Sequence, residues 1–193
     1  TNSDSFFVKL IATSLLGCID SIAKIAYVMP PIMKFAINDS TQCLKGNSFN
    51  FNNATSVPFG TMSYLWKFGD GNTSNVKSPT HTYAAYNTYI VKVKAVSSLG
   101  CSDSVSTSVY VYPMPTARFR IKNDTIQCGS GNLFNFRDSS SIPTGTLTYR
   151  WNFGDNTTSN DTNSSHSYTT AASFSVTHIV TSSYGCMDSI SKP

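Results

Sequence analysis

An all-β chain of tandem sandwich modules is what this sequence predicts, and three observations carry that expectation. Aromatic residues alternate along short stretches, a long segment recurs at fixed spacing, and no window shows a helical period. Turn-forming residues separate the apolar stretches every eight to twelve positions, as a sandwich requires. With 193 residues the chain has room for one large domain or two small ones.

The central element is Tyr64-Leu65-Trp66-Lys67-Phe68-Gly69-Asp70-Gly71, which returns as Tyr149-Arg150-Trp151-Asn152-Phe153-Gly154-Asp155-Asn156. Aromatics at alternate positions give the period of a strand with one buried face. The strand then breaks at a Gly-Asp corner, where φ must turn positive or a short side chain must bond the backbone.

The register of the repeat is strict. Cys43, Trp66, Asp70, His81 and Cys101 recur as Cys128, Trp151, Asp155, His166 and Cys186, each displaced by 85 positions. The pattern also runs backwards: Phe6–Leu10 followed by Gly17-Cys18-Ile19-Asp20-Ser21 matches Tyr89–Val93 followed by Gly100-Cys101-Ser102-Asp103-Ser104. Residues 1–33 are therefore expected to be the tail half of a preceding repeat, 34–113 a complete one, and 114–193 one lacking its last strand. The counterpart of Val109-Tyr110-Val111-Tyr112 would fall after Lys192-Pro193. Either the chain is a window from a longer array, or its ends are completed by a neighbour.

Within the complete repeat, strands are expected near Phe35–Ile37, Phe49–Phe51, Ser63–Phe68, Thr80–Tyr83, Thr88–Ser97 and Val105–Tyr112. Tyr89, Val91, Val93 and Ala95 alternate with Ile90, Lys92, Lys94 and Val96, predicting one core face and one largely wet face. Met29-Pro30-Pro31 and Tyr112-Pro113-Met114-Pro115 read as short, stiff hinges that would hold modules in an extended array.

Composition removes several function classes. Charged residues make up only 12%, about half the usual share of roughly 25%, so Asn, Ser and Thr must supply the polar surface. The net charge of +4 is scattered without a basic run, which argues against nucleic acid as a partner. The most apolar segment, Ile22–Ile37, is interrupted by Lys24, Pro30, Pro31 and Lys34 and is too short for membrane insertion.

The five cysteines suggest disulfides and an oxidising compartment, extracellular or at the cell surface. Cys43 and Cys101 are 58 positions apart, as are Cys128 and Cys186, so the spacing predicts one bridge inside each repeat. Cys18, which holds the place of Cys101, would then pair upstream of the chain. No Cys-x-x-Cys pair or histidine cluster supports a metal centre.

Trp66-x-Phe68-Gly69-Asp70-Gly71, then Ser78-Pro79-Thr80-His81-Thr82-Tyr83, then Tyr89-x-Val91-x-Val93 resembles the PKD (polycystic kidney disease) domain. The resemblance covers essentially the whole chain and implies an Ig-like β-sandwich for each repeat. The second copy, Trp151, Phe153, Gly154, Asp155, His166 and Tyr168, departs twice. Asn156 replaces the second glycine, and Ser164 stands where Pro79 does. The tandem form with Gly-Cys-x-Asp-Ser looks most like repeats of very large Bacteroidetes surface proteins, including gliding-motility adhesins.

The candidate chemistry is sparse. Asp70 and Asp155 sit in glycine turns, where a carboxylate can bind Ca²⁺ or can cap the turn by accepting backbone N–H groups. No acid-rich loop accompanies them, which favours the cap. His81 and His166 lack a repeating nucleophile or metal partner and read as structural groups bonding the neighbouring turn. His178 stands where Val93 stands, as a replacement on a core-facing strand or a local exposure. Tyr110 and Tyr112 share a strand face, with Tyr27 matching Tyr110; such a row can stack on sugars, though edge packing is the plainer reading. Asn-x-Ser/Thr triplets, beginning at Asn38, Asn53, Asn72, Asn123, Asn156, Asn160 and Asn163, matter only in a glycosylating host. Asp-Ser/Thr followed by Ile, Val or Thr recurs and looks like the O-glycosylation signal of Bacteroidetes proteins, with Ser21, Ser40, Ser104, Thr125 and Ser189 as acceptors.

Gly-x-Ser-x-Gly, His-Glu-x-x-His and phosphate-loop motifs are all absent, and the turn aspartates lie in different modules, so no catalysis and no cofactor are expected. The expected role is a non-catalytic extracellular stalk or filament segment of a large adhesin-like protein, its partners being neighbouring repeats or copies of itself. Two alternatives stand beside it. One is a carbohydrate-binding accessory module of a secreted hydrolase, touching surface polysaccharide; the other is a subunit of a strand-exchanged fibre.

Overall fold

The computed structural model describes residues 4–28, 31–57 and 60–193, so Met29 and Pro30 of the first hinge, and the side chain of Tyr27, lie outside the described residues. The chain is all-β. A two-stranded antiparallel hairpin, β1 (Asp4–Thr13) and β2 (Ile19–Val28), comes first. The first repeat then gives β3 (Phe35–Ile37), β4 (Thr41–Cys43), β5 (Phe49–Asn53), β6 (Met62–Lys67), β7 (Thr73–Ser74), β8 (Thr80–His81), β9 (Asn87–Ser97) and β10 (Ser102–Tyr112). The second gives β11 (Phe119–Ile121), β12 (Phe134–Asp138), β13 (Leu147–Asn152), β14 (Thr158–Ser159), β15 (Asn163–His166), β16 (Val176–Ser182) and β17 (Met187–Lys192).

Each repeat forms two sheets. In the first, the orders are β4-β10-β9-β6-β7 and β3-β5-β8; in the second, β14-β13-β16-β17 and β11-β12-β15. The alternation dictates which faces meet: Tyr89, Val91, Val93 and Ala95 of β9 are buried while Ile90 stays exposed. In the second repeat Phe119, Phe136, Trp151, Phe153, Tyr168 and Val176 form a core drawn from both sheets. The first repeat arranges its aromatics alike, with Trp66 tilted on Phe51 and edge-on to Phe35, each pair 5.3 Å apart.

By contact density the chain divides into two units. One comprises Thr1–Ser40, Phe49–His81 and Tyr89–Val109; the other comprises Thr41–Ser48, Thr82–Thr88 and Tyr110–Pro193. The hairpin β1–β2 exposes Phe6, Phe7, Val8, Leu10, Ile11, Ile19, Ile22 and Ile25. The counterparts of β1 and β2 in the first repeat, β9 and β10, are covered because β6 extends their sheet and the β3-β5-β8 sheet supplies core aromatics.

Two differences from the expected strands have local causes. β4 and β7 are too short and polar to show a period, and tertiary pairing alone defines them. β15 begins at Asn163, whereas β8 begins at Thr80, because Pro79 supplies a carbonyl to Phe51 N (2.9 Å) but has no N–H to extend the ladder.

Candidate functional site

The repeated turn is the best-determined constellation. Trp66 and Trp151 are fully buried at the centre of their sandwiches, and each indole N–H donates to a backbone carbonyl ten residues on, Val76 O at 3.0 Å and Asp161 O at 2.8 Å. Gly69 and Gly154 follow with φ of +88° and +86°. A Cβ at either would lie 2.8 Å from a backbone oxygen, of Ile90 or Ser175, so glycine is required sterically as well as conformationally. Asn156 adopts φ of 71° where Gly71 has 95°, as a residue tolerant of the left-handed region can.

Each turn aspartate is occupied by its own surroundings. Asp70 accepts from the backbone N–H and side-chain amide of Asn72 at 3.0 and 2.9 Å, and its other contact is His81 Nε2 at 2.7 Å. Asp155 accepts from Thr157 N and Thr157 Oγ1 at 3.0 and 2.6 Å and meets His166 Nε2 at 2.7 Å. The imidazoles lie flat on Phe68 and Phe153, with centroids 4.0 and 4.3 Å away. Burial opposes ionisation of Asp155, but the bonds from Thr157 and His166 outweigh it and bring its pKa down to about 2. Asp70 is lowered in the same way, burial being outweighed by His81 and Asn72. A Ca²⁺ ion would need several oxygen donors, and each site offers one carboxylate already held by an imidazole. Among the described residues no group of three or more His, Cys, Asp or Glu is placed to hold a metal.

Tyr83 and Tyr168 lie beyond the histidines and are buried. The sequence reading missed what fixes them: buried Asn47 and Asn132. Asn47 accepts from Tyr83 N at 2.7 Å and donates to Tyr83 O and Leu44 O; Asn132 repeats this with Tyr168 and Gly129. Their recurrence at the repeat spacing was the available signal. Burial, followed by the charge of Asp155, pushes the Tyr168 phenol up to about 12, and its hydroxyl donates to Phe153 O at 2.8 Å.

The cysteine pairing requires a correction. Cys43 is bonded to Cys186, with Cα atoms 5.6 Å apart, while Cys18, Cys101 and Cys128 carry no disulfide. The expected Cys43–Cys101 and Cys128–Cys186 bridges are not formed. Cys43 pairs with Tyr112 at the end of β10, whereas Cys101 precedes its start. An eleven-residue strand spans about 35 Å, far beyond the roughly 7 Å limit for bridged Cα atoms. Next to the bond, Tyr112 stacks on Tyr184 at 4.3 Å, and Leu44 N donates to Tyr112 O at 2.8 Å. Tyr110 lies near-parallel to Tyr112 with ring centroids 6.5 Å apart, and it remains exposed.

His178 faces the core. It is fully buried, stacks on Trp151 at 3.7 Å, and its Nε2 lies 2.9 Å from Asp138 Oδ1. The five candidate glycosylation residues, Ser21, Ser40, Ser104, Thr125 and Ser189, are all exposed. No helix among the described residues is long and apolar enough to cross a membrane.

Two repeated sandwiches, each with a buried tryptophan strand and a Gly-Asp corner, define a tandem Ig-like β-sandwich protein. The PKD domain family matches residues 28–111 and 113–192, and the chain belongs to that family. Among curated proteins, the collagenase ColA of Bacillus cereus is 43% identical over 54 residues, 28% of this chain and 6% of that protein. A microbial collagenase of Vibrio alginolyticus is 33% identical over 64 residues, 33% of this chain and 8% of that protein. The chain thus spans under a tenth of the length of these relatives. Among solved structures, the PKD1 domain of the Vibrio cholerae metalloprotease PrtV is 30% identical with a TM-score of 0.38, covering 42% of this chain and 96% of that domain.

Proposed function

We propose that this chain is a non-catalytic, extracellular structural segment, a stalk or filament portion of a large secreted or surface protein. The observation that supports this most is the Cys43–Cys186 bond, which joins the opening of one sequence repeat to the close of the next across 143 positions. A covalent tie of that span resists extension of the polypeptide, a property of use to a protein under tension. The polar groups of the repeated turns are spent on the turns themselves, so nothing in them is left to act on a substrate. A disulfide also suits a secreted location. Electron microscopy of the native, unfragmented protein is the test. Beaded rods or fibres support the stalk, and short particles attached to a compact catalytic body contradict it.

The second reading is an accessory module of a secreted hydrolase, favoured by the matches to two collagenases. Immobilised polysaccharide and collagen are the probes for it. Retention of the chain on either would support an accessory role, and passage through both would count against it.

A further inference from the structure

The basic residues are scattered along the sequence, but the second repeat gathers four of them on one sheet face. Arg118, Arg120 and Lys122 fall at alternate positions on and beside β11, Arg137 follows on β12, and all four are exposed. Alternate positions of a strand share a face. The ladder aligns Arg120, Arg137 and Asn163 in one row across β11, β12 and β15, and Asn135 with Ser165 in the next. Lys122 donates its backbone N–H to Asn135 O at 2.9 Å, which sets it at the end of that second row. An open cleft of about 470 Å³ lies here, its lining including Lys122, Asn135, Arg137, Asn163 and Ser165.

Nothing neutralises this face from within. β11, β12 and β15 hold a single carboxylate, Asp138, and it turns inward to His178. Among the described residues none of the four cations forms an ion pair. Like charges directly opposite on a ladder oppose folding, and the first repeat avoids them. Its equivalents of Arg120 and Arg137 are Ala36 and Asn52, themselves a ladder pair. The sandwich thus forms without these charges, and their repulsion is relieved by an anion laid across them.

We propose that this face binds a linear acidic polysaccharide. The guanidinium groups of Arg120 and Arg137 fork onto its carboxylate or sulfate groups, and Lys122, Asn135, Asn163 and Ser165 meet the oxygens between them. A guanidinium is a planar fork that pairs with an oxyanion through two bonds at once. The two rows carry no aromatic ring on which a nucleobase could stack and no apolar side chain to enter a membrane. Amides and a hydroxyl interleaved with the cations match the hydroxyls of a sugar polymer instead. The inference stands apart from both readings of the chain's role, since a stalk and an accessory module can each carry such a face.

The test measures binding of the whole chain to immobilised polygalacturonate and dextran sulfate, with neutral dextran as the reference. At least one acidic polymer should retain the chain, dextran should not, and added salt should release it. Arg120→Ala with Arg137→Asn, the pair found in the first repeat, should weaken binding about ten-fold or more without lowering the melting temperature. Lys67→Ser with Lys92→Ser removes the same charge from another exposed, directly opposed pair and should leave binding within about two-fold. No retention on either acidic polymer, or equal retention on dextran, overturns the proposal. So does an equal loss in the two double variants, because net charge rather than this face would then be the cause. Tighter binding to duplex DNA or to phosphatidylserine vesicles than to either polymer assigns the face to another partner and also overturns it. None of these results decides between rods and compact particles in the microscopy of the native protein.

Discussion

His178 and Asp138 form a buried pair, 2.9 Å apart, at the two positions where the first repeat carries Val93 and Asn53. The second sandwich has exchanged an apolar contact beside a neutral amide for an imidazole held by a carboxylate, both against the same tryptophan strand. Replacing one member strands the other, and breaking a buried pair costs about 3–5 kcal/mol. His178→Val alone should therefore destabilise the second repeat by that order. His178→Val with Asp138→Asn, which restores the combination of the first repeat, should recover most of the loss. Urea unfolding of the two single variants and the double variant gives the coupling directly.

The buried tryptophans should be equally costly to remove in both copies. Trp66→Ala and Trp151→Ala each delete a fully buried indole and its hydrogen bond, for a loss of about 3–5 kcal/mol. In each variant the remaining tryptophan, which lies in the unaltered repeat, should report an unshifted fluorescence transition, while unfolding followed by circular dichroism should show the altered repeat melting earlier.

Acid should act through the turn aspartates, and the sign follows from their lowered pKa values. A carboxyl depressed in the folded protein adds stability that is present above its unfolded value, near 4, and is lost as pH falls through the folded value. For Asp155 that window runs from about 4 down to about 2. Asp155→Asn should flatten the loss of stability across this range while leaving its shape near neutrality unchanged. A melting-temperature series from pH 6 to pH 2 on both proteins decides it.

Most of the fold was legible because its information is local. Alternating aromatics placed β6 and β13, the alternation of Tyr89, Val91, Val93 and Ala95 placed β9, and the Gly-Asp corner placed the turns, since the left-handed φ and the missing Cβ are demands on single residues. β4 was not legible: Thr41-Gln42-Cys43 has no period, and a parallel partner sixty-nine positions on makes it a strand. The disulfide was misassigned for a deeper reason. In a strict tandem register, a partner within the same repeat and a partner one repeat further on are both consistent with the spacing, and only the direction of β10 separates them. His178 could be read either as a replacement on a core-facing strand or as a local exposure, because its partner Asp138 lies on another strand 40 positions away.

The measurement that bears most directly on the structural role is single-molecule extension of the chain by its ends, with and without reductant. The Cys43–Cys186 bond should shield the 143 positions it spans, so that oxidised protein releases only the flanking residues. Adding reductant should then free the remainder, roughly 3.5 Å of contour per residue. Full extension of the oxidised chain, equal to that of the reduced one, would show that the repeats are not tied in this way and contradict the account.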